Sequence, residues 1–418
     1  MIDRSIQPEV GVLKSIDFVA PKTQSIEGIE WIIMNDVPNE TCRFDLYFDA
    51  GKIRGEGATA SLVNGLLLSG NEKKSSIEIQ EELNALGAFH ESGISVENSV
   101  ITVYCLKEHF TPLFKTLIEA IQTVEFLPKE VDELVSDRIQ KLKISQEKVN
   151  FLAQQAFREE LFASDPNYAR KIDLEDYANT QAQDLIDFHR KYYLNGLQRV
   201  VIVGDLNNRE IETAQQICQK FNSSEESNFT SELENRSGEV RVPKKDALQT
   251  AIRVGKTLFN KSHPDYLKFL VLNTILGDYF GSRLMSNIRE DKGYTYGIGS
   301  TLAELNETGY FMIGTEVGSD VADAALLEIK IEIERLQNEL VPEEELELVK
   351  NYMMGQLLKS ADGPYAMTDL FLGVHIHGKG LDFYNEAIET IENITTQDIQ
   401  ELAKTYLKWD EMSVVLAG

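Results

Sequence analysis

Apolar positions along the chain recur at two periods. Leu113, Phe114, Leu117, Ile118, Ile121 and Val124 fall at helical spacing and predict an amphipathic helix. Ile94 to Cys105 is β-branched and partly alternating, which predicts a strand. Ser75 and Glu78 form a capping box that opens a helix, and Gly87 stops it. Further on, Tyr296–Leu305 and Tyr310–Val317 flank Asn306-Glu307-Thr308-Gly309, the signature of a hairpin. A helix over 323–338 follows, and Thr395-x-x-Asp398 caps a late one. Strands separated by long helices, with hairpins, predict an α+β fold in which a mainly antiparallel sheet carries helices packed on one face.

The most polar stretch, Asn222 to Asp246, is rich in Ser, Asn, Glu and Lys and has little periodicity. It predicts an interdomain linker, which gives domains at 1–221 and 247–418 on either side of 222–246. The two sides repeat one another. The segment Leu127-Pro128 through Val135 has its counterpart 214 positions later in Val341-Pro342 through Val349. Tyr192-Tyr193-Leu194 followed by Val200–Gly204 returns, at about the same offset, as Tyr406-Leu407 followed by Val414–Gly418. Two matches at one spacing indicate a duplicated domain of roughly 200 residues.

Charge narrows the function. The 418 residues include 41 Lys and Arg against 68 Asp and Glu, a net charge of −27. A nucleic-acid phosphate binder needs a basic footprint, and docking on an anionic membrane needs one too, so both are excluded. Cys42, Cys105 and Cys218 are odd in number and far apart, which suits neither a disulfide framework nor a zinc knuckle. No window of about 18 apolar residues exists to form a transmembrane helix. The opening Met1-Ile2-Asp3-Arg4-Ser5 lacks an apolar signal core. The expectation is a soluble cytoplasmic protein.

Two segments are candidates for chemistry. Gly57 to Gly70 reads by pattern as an apolar helix ahead of a polar turn. Gly277 to Gly297 holds Ser282 as a cap for a short helix carrying Leu284, Met285 and Ile288. Gly293 ends that helix and Tyr294-Thr295-Tyr296 opens a strand. Its glycines do not form G-x-G-x-x-G and no P-loop lysine follows, so phosphate binding is unsupported. Of six histidines (His90, His109, His189, His263, His375, His377), only His375 and His377 lie close together, on one face if extended. Two ligands without nearby cysteines or suitable carboxylates make a poor metal site, and a solvated loop or strand end is the expected setting.

The order of these features is similar to the pitrilysin/insulinase clan of zinc peptidases, the M16 family, and in particular to its small bacterial members related to mitochondrial processing peptidase. The likeness runs from Val10 to Gly418. Phe48-Asp49-Ala50-Gly51 resembles the strand that ends before the family's motif helix, which in active members carries the inverted zinc motif H-x-x-E-H. Counting back from Gly70 puts the three motif positions at Ser61, Asn64 and Gly65. Serine is a poor zinc ligand, asparagine is no base at neutral pH, and glycine has no side chain. The family's further glutamate falls near Arg138-Ile139-Gln140-Lys141-Leu142-Lys143, where lysines repel a cation. The first half therefore reads as a metal-free version of the fold.

The most specific match is 281–296. Gly-Ser-Arg-Leu, then Ile-Arg-Glu, then Gly-Tyr-Thr-Tyr resembles the clan's C-terminal signature, in which an Arg and a Tyr seven residues apart reach a zinc site on the other half or subunit. Arg289 and Tyr296 have that spacing. The resemblance implies that Arg289 holds a substrate carbonyl and Tyr296 donates to an oxyanion, with Ser282, Arg283 and Tyr294 shaping the turn. It implies a subunit inactive alone that acts with a zinc-bearing M16 partner on extended peptides, no cofactor being bound by this chain. Two other assemblies stay open: a homodimer when isolated, and a non-catalytic peptide-binding or scaffold role on the same fold. An unrelated α+β enzyme is the third reading, for which no Ser-His-Asp or Cys-His set can be assigned.

Overall fold

The computed structural model of the chain describes residues 13–223 and 233–418. The first half holds strands β1 (Lys22–Ile26), β2 (Ile29–Met34), β3 (Thr41–Phe48), the short pair β4 (Gly70–Asn71) and β5 (Lys74–Ser75), β6 (Phe89–Ile94), β7 (Ser99–Leu106) and β8 (Leu197–Val203). Its helices are α1 (Thr59–Leu66), α2 (Ser76–Ala85), α3 (Phe110–Thr123), α4 (Pro128–Gln146), α5 (Val149–Leu161), α6 (Pro166–Ala169), α7 (Leu174–Asn179), α8 (Ala182–His189) and α9 (Asn208–Cys218). The second half holds β9 (Gly238–Val242), β10 (Gln249–Leu258), β11 (Thr295–Glu304), β12 (Gly309–Gly318) and β13 (Ser413–Ala417). Its helices are α10 (Tyr266–Leu276), α11 (Ala322–Asn338), α12 (Glu343–Ser360), α13 (Gly363–His375), α14 (Asp382–Asn393) and α15 (Thr396–Tyr406).

The duplication is plain in the sheets. The first runs β1-β2-β8-β3-β7-β6 and the second, read backwards, β9-β13-β10-β12-β11. In each, one edge-side pair is parallel (β2 with β8, β9 with β13) and the pairs that follow are antiparallel. Helices follow at the repeat offset: Pro128 opens α4 and Pro342 precedes α12. The fold is α+β with two homologous domains.

Each sheet packs one face on helices of its own half. Trp31, Ile33, Val200 and Ile202 join Phe114, Leu117 and Ile121 of α3 in one core. Ile252, Val254, Val414 and Leu416 join Ile329 and Ile333 of α11 in the other. The opposite face is covered too, by a helix exchanged from the other half. Ile32, Met34, Val201 and Val203 pack on Phe371 and Leu372 of α13. In return, Val415 packs with Phe157 and Leu161 of α5, and Ala251 and Ala417 with its Ala153. Helices on one face thus describe each half taken alone, not the assembled chain.

Two local expectations change. The run Ile94 to Cys105 is the end of one strand, a turn and a second strand. Ser95 makes the turn: its hydroxyl accepts from the backbone N–H groups of Glu97 (3.2 Å) and Asn98 (3.0 Å). Of the stretch 222–246, residues 224–232 lie outside the described residues, while Gly238–Val242 is strand β9. It is an edge strand with exposed alternate positions, which explains its polar composition. Among the described residues no helix is long and apolar enough to cross a membrane.

Candidate functional site

The helix that should carry metal ligands is α1. Asn64, at the position of the family's general base, is buried and lies 2.9 Å from Ser92 Oγ, 2.8 Å from Ser99 Oγ and 3.3 Å from the Tyr193 hydroxyl. The Tyr193 hydroxyl donates to Ser99 Oγ at 3.0 Å, and burial pushes its pKa up to about 12. This is a satisfied structural network, and it consumes the amide. At the next residue, a Cβ at Gly65 would stand 2.9 Å from Leu134 Cδ2 and 3.3 Å from Arg138 Nη2. The residues of α4 that face the motif helix at this point are therefore Leu134 and Arg138. Lys141 is turned away in an ion pair with Asp137 at 2.8 Å. Ser61, Asn64, Gly65 and an arginine do not fit zinc: they supply neither its ligands nor a base for a metal-bound water. Among the described residues no group of three or more His, Cys, Asp and Glu could hold a metal ion.

His375 and His377 do not act together. They sit at the C-terminal end of α13, where helical geometry turns them apart, not on a strand end. His375 Nε2 bonds Glu30 of β2 at 2.5 Å. The His377 ring is fully buried, and its Nε2 lies 3.6 Å from Glu304.

The second segment has a definite geometry. Arg289 stands on a wide helical turn, Met285–Asp291, of the π type found often at functional sites. Tyr296 stands in a β-bulge: the β11–β12 register shifts between Thr295 and Ile298. The Thr295 and Thr315 hydroxyls hold the bulge by donating to the Gly297 carbonyl, both at 2.9 Å. The bulge aims Tyr296 outward, leaving it 93% exposed. Arg289 lies over both the Phe280 ring (4.5 Å to its centroid) and the Tyr296 ring (5.6 Å). Among the described residues neither the Arg289 guanidinium nor the Tyr296 hydroxyl has a hydrogen-bond or ion-pair partner, so their donors are free. The surrounding turn is fixed by Arg283, which meets Glu345 with two bonds of 2.8 Å, and by Ser282, whose hydroxyl lies 3.5 Å from the Met285 amide.

A cavity of about 440 Å³ opens between the halves, lined by Glu97, Arg158, Tyr310 and His377 among others. Glu97 ties the halves together: it accepts from the Tyr168 hydroxyl (2.7 Å) and from the Asn306 backbone N–H (2.9 Å) at the tip of the β11–β12 hairpin. Burial pushes its carboxyl above the ordinary value. Sequence reading missed Glu97 and Arg158 as residues of this cavity. No local pattern marks them, because tertiary contacts bring them together.

Comparison with known proteins bears on the family and the fold. Residues 31–165 match a family model described as insulinase (peptidase family M16), and residues 179–353 one described as the peptidase M16 inactive domain. An uncharacterized zinc protease of Rickettsia bellii is 23% identical over 369 residues, covering 87% of this chain and 88% of its own. The non-peptidase homolog YmxG of Helicobacter pylori is 23% identical over 341 residues, covering 78% and 76%. The crystal structure of a peptidase M16 inactive domain from Pseudomonas fluorescens superposes with a TM-score of 0.87 at 21% identity, covering 96% of this chain and 98% of that one. Two family models in tandem and a shared fold over nearly the full length lead to one conclusion: the chain belongs to peptidase family M16.

Proposed function

We propose that this chain is the metal-free subunit of a two-chain M16 endopeptidase. The observation that carries the reading is a contrast within one molecule. The motif helix has lost every metal ligand and locked its asparagine into the core, while Arg289 on its helical turn lies over Tyr296 in the bulge, both with their donors free. A core relic would have its donors satisfied internally, whereas free, positioned donors suit a substrate met in trans. Zinc and the general base belong to the partner subunit, which carries an intact H-x-x-E-H helix. In this chain, Arg289 holds a backbone carbonyl of an extended peptide and Tyr296 donates a hydrogen bond from its hydroxyl to the developing oxyanion. The peptide adds to a sheet edge through backbone hydrogen bonds, and β6 and β11 are the edges beside the two candidate segments.

A quenched-peptide cleavage assay with metal analysis, on the chain alone and with a zinc-bearing M16 partner, tests this. The chain alone is expected to be metal-free and inert. The pair is expected to cleave, with Tyr296→Phe lowering kcat by about 10²–10³, or about 2.7–4 kcal/mol, as for other preorganised oxyanion donors. Zinc-dependent cleavage by the isolated chain overturns the reading. The Helicobacter pylori relative is named a non-peptidase homolog, which favours a second reading: a peptide-binding scaffold on the same fold. Peptide binding with no cleavage in either preparation selects it.

A further inference from the structure

The cavity between the halves holds charge that its own walls do not neutralise. Both halves build those walls. Glu97 sits in the β6–β7 turn and Arg158 on the exchanged helix α5, while Leu305 opens the β11–β12 turn and His377 follows α13. Arg158 donates Nε to the Tyr168 carbonyl at 2.8 Å, and among the described residues it has no other hydrogen bond and no ion pair. Glu97 is held by neutral donors alone, the Tyr168 hydroxyl at 2.7 Å and the Asn306 backbone N–H at 2.9 Å. The guanidinium and the carboxyl line one cavity and do not pair with each other.

A third polar group in the cavity wall lacks any partner. The His377 side chain is fully buried, and neither ring nitrogen has a hydrogen-bond partner among the described residues. Glu304 stands 3.6 Å from Nε2, beyond hydrogen-bond reach, and is already engaged by Lys261 at 2.5 Å and by the Tyr266 hydroxyl. A neutral imidazole carries one donor and one acceptor, and burying both unmade is costly and rare. The ring therefore points to a ligand. The remaining wall is apolar, because Phe157, Leu161 and Phe162 pack together with Leu305. The volume of about 440 Å³ falls within the roughly 300–1,000 Å³ of small-molecule sites, which join apolar walls to a few polar groups. One charge of each sign decides what the ligand carries. An anion satisfies Arg158 and is repelled by Glu97, and a cation does the reverse. A molecule bearing both charges satisfies both.

We propose that this cavity binds a small zwitterion with an apolar side chain. Its carboxylate meets Arg158, its ammonium meets Glu97, its apolar group lies against Phe157, Leu161 and Phe162, and His377 hydrogen-bonds to it. That is the chemistry of a free apolar amino acid, or of a short apolar peptide with both termini free. Because both halves supply the walls, occupancy ties them together and stabilises the folded chain. The inference goes beyond the two-chain reading and uses neither Arg289, Tyr296 nor a partner subunit.

Isothermal titration calorimetry on the full chain tests it, first with phenylalanine and with the dipeptide leucylphenylalanine. The tighter of the two assigns the source, amino acid or peptide. That molecule is then compared with its C-terminally amidated form, which lacks the carboxylate, and its N-acetylated form, which lacks the ammonium. Each is expected to bind at least about tenfold more weakly, the worth of one charge-assisted hydrogen bond. Arg158→Met is expected to erase the discrimination against the amidated form. Glu97→Gln, which keeps an acceptor for Tyr168 and Asn306, is expected to erase that against the acetylated form. Should Arg158→Met fail to fold, the three forms compared on the unaltered chain still decide. Equal affinity for the three, or binding unmoved by either variant, overturns the zwitterion site. So does binding of neither phenylalanine nor leucylphenylalanine, and cleavage by the chain with its zinc-bearing partner would then leave the two-chain reading standing.

Discussion

At the scale of the residue, Asn64 shows what stands at the position of the family's general base in this chain. Asn64 is held by Ser92, Ser99 and Tyr193 in a buried network. Asn64→Ala leaves those hydroxyls without their donor, and the expected loss is about 1–3 kcal/mol of stability, read as a lowered urea midpoint. Restoring the motif by Ser61→His, Asn64→Glu and Gly65→His together is expected to yield no zinc by metal analysis. Arg138 and Leu134 occupy the approach at position 65, and the new glutamate forfeits the network. Glu97 makes a pH-dependent contribution whose sign follows from burial. Its carboxyl titrates above the ordinary value of 4.5, so the folded state holds the proton to higher pH than the unfolded chain does. That contribution is complete below pH 4.5 and is lost as pH rises through the folded value. Glu97→Gln keeps an acceptor for Tyr168 and Asn306 and removes the titration. Its urea midpoint is expected to vary less with pH from 4.5 upward than that of the unaltered chain.

At the scale of the element, local signals were legible and long-range ones were not. The capping boxes at Ser75 and Thr395 and the α3 periodicity fix their helices because caps and amphipathic faces act within a few residues. The departure from the family's motif at Ser61, Asn64 and Gly65 was legible for the same reason: a motif on one helix turn is local. The exchange of α5 and α13 was not read, although one signal existed. Val200-Val201-Ile202-Val203 and Val414-Val415-Leu416-Ala417 are apolar at every position, as strands covered on both faces must be. That Leu134 and Arg138 face α1 was out of reach, because which side of α4 faces α1 is settled only by tertiary packing. At the exchanged contact, Ala153 meets Ala251 and Ala417, small residues that let α5 lie close on its sheet. Ala153→Leu overpacks that contact, and about 1–3 kcal/mol of destabilisation is expected by chemical denaturation.

At the scale of the whole molecule, the two exchanges make the halves mutually dependent. Neither sheet keeps its second face covered unless the other half is folded, since α13 shields Ile32, Met34, Val201 and Val203 while α5 shields Ala251, Val415 and Ala417. Glu97, bonded across to Asn306, adds a polar tie to the two apolar ones. The chain carries two tryptophans, one in each half. Trp31 is buried in the first core, and Trp409 packs against the second. Trp409→Phe therefore leaves a reporter of the first half, and Trp31→Phe a reporter of the second. Phe157 belongs to the first half by sequence but packs beside Val415 of the second sheet. Truncating it to Ala in either single-tryptophan background is expected to cost about 3–5 kcal/mol. If the exchange makes one cooperative unit, both reporters shift to lower urea together and report coincident transitions. Separate midpoints, with only the Trp409 signal moved, would mean that the halves unfold independently and that the exchanged helices are docked without coupling them. That outcome would also remove the basis for treating the cavity between the halves as one preformed site.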